Sequence, residues 1–185
     1  MSGRKRAAFL DRDGTLIEDA QFLAKPDDIV VLPGAVETVV RLNESGVAVV
    51  VITNQSGIAR GLMSEDDYEA VAARMTAMFA DAGARIDATY HCPHHPAITG
   101  ICDCRKPALG MYEQAIAELE LDPKRSLFVG DRYRDVEPGL ALRGRGILVP
   151  SVATPPDDLA RAERDAEVAP TLEEAVDRWL RNRAA

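Results

Sequence analysis

The chain has 185 residues, 46% of them hydrophobic and 28% charged, with a formal net charge of −8. A chain of this length buries about 70% of its unfolded surface, enough for a core that needs no disulfide staple. The acidic balance excludes nucleic acid and anionic membrane as bulk partners, whereas a small phosphorylated molecule needs only a few local donors.

The start, MSGRKRAAFLDRDG, turns from basic to apolar. Its apolar part, Ala7 to Leu10, runs straight into Asp11, which is too short for a secretory signal. No run approaches the ~20 apolar residues of a membrane span. These features predict a cytoplasmic protein, one domain across residues 1–185, acting as a monomer.

Short apolar runs alternate with helical stretches along the chain. Ala7–Leu10 is the first run, and Val47–Thr53 (VAVVVIT) the second. The second is β-branched and nearly uninterrupted, as in a strand buried on both faces. Ile86–His91, Ser126–Gly130 and Gly146–Val149 follow. Between them, helices are predicted over Ala35–Ser45, Ser64–Ala82, Leu109–Leu121 and Asp135–Arg143, with a last one over Leu172–Arg183. Ser64 with Asp67 reads as an N-cap and acidic first turn. Residues 151–171, rich in proline, read as irregular surface structure. The alternation predicts an α/β fold: a Rossmann-like doubly wound parallel sheet, with no insert large enough for a separate cap.

In such sheets ligands sit beyond the carboxyl ends of the strands. The residues there are DRDGT (11–15), TNQSG (53–57), a Cys/His window ending in Arg105 and Lys106, and DRYRD (131–135). An aspartate such as Asp11 can carry a phosphoryl group. A second carboxylate, Asp13, can protonate a leaving group and later activate water. With Asp131 they can hold Mg²⁺, which prefers oxygen ligands. Thr53 and Lys106 suit phosphate oxygens. The window CPHHPAITGICDC (92–104) offers Cys92, His94, Cys102 and Cys104, the donor set of a closed tetrahedral Zn²⁺ site. Three cysteines clustered in thirteen residues make a poor disulfide framework.

FLDRDGT, VITNQSG, RKP and FVGDRYRD, in this order over residues 9 to 135, resemble the haloacid dehalogenase superfamily of phosphatases. The resemblance implies Asp11 as nucleophile and Asp13 as general acid/base. It implies Mg²⁺ on Asp11, the main-chain carbonyl of Asp13 and Asp131, with Asp135 supporting that shell. Thr53 and Lys106 would stabilise the transferring phosphoryl group. The Cys/His loop resembles the branch of heptose-bisphosphate and histidinol-phosphate phosphatases, where zinc is structural. NQSGIARG, CPHHP and CRKPALGM look more like the heptose bisphosphate enzymes, although Phe22 stands where those commonly carry tyrosine. By this resemblance Asp19 to Phe22, Asn54, Gln55, Ser56, Arg105 and Arg132 line the substrate site, with Arg105 the best cation for a second phosphate. The alternatives are histidinol phosphate as substrate, a polynucleotide 3′-phosphatase, and a non-catalytic zinc-stabilised binding module.

Overall fold

The computed structural model describes residues 4–181. The first three residues of the basic start and the predicted helix end at 182–183 lie outside them.

The elements in chain order are β1 (Ala7–Leu10), α1 (Ala35–Glu44), β2 (Ala48–Asn54), α2 (Glu65–Asp81), β3 (Ala88–Cys92), α3 (Pro96–Thr99), α4 (Gly110–Glu118), β4 (Leu127–Gly130), α5 (Tyr133–Ala141), β5 (Arg145–Leu148), α6 (Pro156–Asp165), β6 (Glu167–Val168) and α7 (Leu172–Arg181). The six strands form one parallel sheet in the order β3-β2-β1-β4-β5-β6. Alternate strand residues serve opposite faces, as the pleat requires. Ala8, Leu10, Val49 and Val51 pack with α1, α2 and α7 residues such as Val39, Phe79 and Trp179. Ala7, Phe9, Val50 and Ile52 pack with Met111, Tyr112 and Ala115 of α4. Phe9 stacks on Phe128 with ring centroids 4.7 Å apart, an arrangement worth about 0.5–1.5 kcal/mol beyond burial. That stack anchors β1 to β4 just below their polar ends.

Ser64 caps α2 through a reciprocal box with Asp67, as its sequence predicts. Residues 151–171 depart from expectation: they are not irregular but hold α6 and the edge strand β6. Pro156 occupies the first helical turn, where a missing N–H costs nothing, and acidic residues follow it. The proline content thus marks a helix start. The helix expected from Asp135 begins two residues earlier, at Tyr133. No described helix is long and apolar enough to cross a membrane.

In this strand order the chain winds outward in opposite directions from β1 and β4. The crevice at that reversal, beyond the carboxyl ends, is where doubly wound sheets bind ligands. Asp11 follows β1 and Asp131 follows β4, so both open into it.

Candidate active site

The parallel ladder sets the first part of the site. Leu10 pairs with Val129, and the Asp11 N–H donates to the Val129 carbonyl at 2.9 Å. Gly14 then turns the chain with φ of 78°; a Cβ there would meet Asp131 Oδ2 at 2.7 Å, so only glycine lets the two loops close on each other. Asp11, Asp131 and Asp135 are buried, and each offers a carboxylate oxygen within 4.8 Å of the others. Burial and the Asp11 charge push Asp131 above the usual carboxylate range, against a Ser151 hydroxyl that donates to it at 2.6 Å. Burial, reinforced by Asp11, pushes Asp135 up to about 6, against the pull of Lys106.

Lys106 is the buried cation of this group. Its Nζ donates to Asp11 Oδ1 at 2.9 Å and to the Ile52 carbonyl at 2.6 Å, and lies 2.7 Å from Asp135 Oδ1. Burial works against its charge, yet Asp11 and Asp135 together hold it above the usual lysine range. Asn54 fixes the backbone of Lys106 from both sides: its Oδ1 accepts from the Lys106 N–H at 3.0 Å, and its Nδ2 donates to the Lys106 carbonyl at 3.2 Å. The end of β2 therefore places the lysine, although 52 residues separate the two in sequence.

Asp13 stands apart from the three-carboxylate cluster. Its carboxylate accepts Arg12 Nε at 3.1 Å and a second Arg12 nitrogen at 3.0 Å. Gln55 Nε2 donates to it at 2.8 Å and Thr53 Oγ1 at 3.4 Å; Gln55 also donates to Thr53 Oγ1 at 2.8 Å. Arg12 is 1% exposed and lies over the Tyr68 ring.

A cavity of about 390 Å³ opens onto these groups. Its walls include Asp11, Asp13, Asp19, Phe22, Thr53, Asn54, Gln55, Ser56, Asp131 and Arg132, all of them residues singled out in the sequence. Gln21 and Phe22 hold φ of 47° and 63°, a strained pair that folds this loop toward the end of β2. Arg105 is not part of the wall: one of its nitrogens donates to the His94 carbonyl at 3.1 Å. Lys106 lies beneath the floor, 3% exposed. Motif reading passes over Arg12, Arg60, Arg134 and Ser151. Arg12 could have been flagged by its place between two carboxylates, and Ser151 by its place after β5.

Cys92, His94, Cys102 and Cys104 converge at the end of β3. The sulfur–sulfur distances are 3.1, 3.4 and 3.7 Å, and His94 Nδ1 is 3.2 Å from Cys104 Sγ and 3.7 Å from Cys92 Sγ. A tetrahedron of zinc–sulfur bonds of about 2.3 Å has edges of about 3.8 Å, so the cluster fits one ion with slight expansion. Burial pushes the Cys92 and Cys104 thiols up.

A buried aspartate beside a lysine, at the reversal of a doubly wound sheet and ringed by carboxylates, defines a hydrolase of the haloacid dehalogenase type. The HAD-hydrolase-like family model matches residues 103–175. The D-glycero-beta-D-manno-heptose-1,7-bisphosphate 7-phosphatase of Pasteurella multocida is 42% identical over 149 residues, 78% of each chain. The Escherichia coli K12 protein of the same name is 38% identical over 77% of this chain and 78% of its own. The chain belongs to this family of heptose-bisphosphate phosphatases. The crystal structure of the D,D-heptose 1,7-bisphosphate phosphatase from B. bronchiseptica, complexed with magnesium and phosphate, superposes with a TM-score of 0.84 at 31% identity, covering 96% of this chain and 99% of that one.

Proposed function

We propose that the chain removes the 7-phosphate from D-glycero-D-manno-heptose 1,7-bisphosphate through an aspartyl-phosphate on Asp11, within one domain spanning residues 1–185. The observation that carries this reading is the placement of Asp11 between Lys106 and the Asp131 side of the crevice. Three buried carboxylates against one buried ammonium leave an excess of negative charge, which fits a dication. Asp11, Asp131 and the Asp13 carbonyl would hold Mg²⁺, which when bound neutralises phosphate oxygens and orients them for in-line attack.

The Asp11 carboxylate is held in one plane, because its Oδ1 accepts both Lys106 Nζ and the Arg12 N–H, the latter at 2.7 Å. Attack on phosphorus forms the acyl phosphate and breaks the bond to the sugar oxygen. Asp13 delivers the proton to that oxygen, then takes one from the water that cleaves the acyl phosphate. Inorganic phosphate leaves and Asp11 is restored. Lys106 offsets the charge on the phosphoryl oxygens throughout. Thr53 and Gln55 orient Asp13 for both proton transfers. The Cys/His cluster would take structural Zn²⁺ and pin the loop that delivers Arg105 and Lys106.

Steady-state turnover with Mg²⁺ on heptose 1,7-bisphosphate and on histidinol phosphate tests the assignment. A higher kcat/KM on the bisphosphate is expected. The reverse preference would replace the substrate while leaving the chemistry intact.

A further inference from the structure

Five arginines stand in or beside the cavity, and the guanidiniums of four have at least one partner, although Arg12 Nη1 is itself shielded without one. Arg12 forks onto Asp13. Arg132 Nε lies 3.6 Å from Asp131 Oδ2. Arg60 meets His95 Nε2 at 2.8 Å, and Arg105 donates to the His94 carbonyl. Arg134 differs. It lines the cavity, yet no hydrogen bond or ion pair joins its guanidinium to any described residue, and its Nε is shielded from solvent. A buried donor without an acceptor is costly, so a retained one marks a place for a ligand atom.

The position of Arg134 narrows the ligand. It is the second residue of α5, so the helix start fixes it on the carboxyl edge of the sheet. The reacting phosphoryl group already has Lys106, which touches Asp11 directly; Arg134 makes no such contact.

We propose that Arg134 grips the phosphate of the substrate that is not transferred. This rests on the bisphosphatase reading above. A guanidinium fork matches two phosphate oxygens, and a sugar carrying a single phosphate leaves the fork empty. Arg134 then sets the preference for a doubly phosphorylated sugar over a singly phosphorylated one.

The test compares the wild-type full chain with Arg134→Gln and Arg134→Lys, in Mg²⁺, on heptose 1,7-bisphosphate and on the same heptose carrying only the 7-phosphate. Arg134→Gln should lower kcat/KM on the bisphosphate by about ten- to a hundredfold, mainly through KM, with a far smaller loss on the monophosphate. Arg134→Lys, which keeps charge but not the fork, should fall between. Unchanged thermal unfolding of both variants ties these losses to the site. Equal losses on the two substrates, or none on either, overturn the proposal. A wild-type enzyme that ignores the bisphosphate overturns the underlying reading instead, since that comparison involves no variant.

Discussion

Lys106 Nζ lies 2.7 Å from Asp135 Oδ1, and both side chains are 1% exposed. Each group helps to keep the other charged at such depth, and the same ammonium reaches Asp11. Asp135 therefore supports the lysine proposed to bind the phosphoryl group, as well as the acidic cluster. Asp135→Ala should strand the ammonium with Asp11 alone. Breaking a buried pair costs about 3–5 kcal/mol, and the remaining partner favours the lower figure. Thermal unfolding should show a Tm lower by roughly 6–12 °C, at about 2–4 °C per kcal/mol for a domain of this size. An unchanged Tm would show that Asp11 suffices.

Asp11→Asn should fold normally, because Lys106 keeps Asp135. Mg²⁺-dependent phosphate release should fall below about 10⁻³ of wild type, since an amide is a poor nucleophile. No phosphoenzyme should accumulate after rapid acid quench. Substantial turnover by this variant would exclude the aspartyl-phosphate.

The purified protein should contain about one zinc per chain, the stoichiometry of a four-ligand structural site. Cys102→Ser should lower that occupancy. Most of the sheet's core lies outside the loop, so far-ultraviolet circular dichroism should be kept while activity drops through a displaced Lys106. A zinc-free chain of full activity would separate the loop from catalysis.

Arg12→Met removes the fork on Asp13 while keeping bulk against Tyr68. The chain should lose kcat by about tenfold or more, within the ~10²–10⁴ range of acid/base catalysis, with little change in KM. A change confined to KM would place Arg12 in substrate binding.

The strand-end motifs were legible because each sits where an apolar run stops, and parallel topology forces those ends together. The convergence of Cys92, His94, Cys102 and Cys104 was legible from donor type and spacing alone. The support around Asp131 was not: the Ser151 hydroxyl and the Thr154 Oγ1, which donates to the Asp131 carbonyl at 2.7 Å, act across twenty residues or more. Helix α6 was hidden by prolines that also suit a loop. Arg12 and Arg134 carry no periodic signal; their meaning comes from what does, and does not, lie within reach.

The order β2-β1-β4 at the sheet centre has a kinetic corollary. Asp11 and Lys106 are 95 positions apart, and each needs a strand that pairs only after distant chain segments meet. Parallel pairing of this kind is slow, because loop-closure entropy is lost before contacts compensate it. No fragment ending before β4 contains Asp131, and none beginning at α1 contains Asp11. The three-carboxylate cluster thus exists only once β1 and β4, more than a hundred positions apart, have paired.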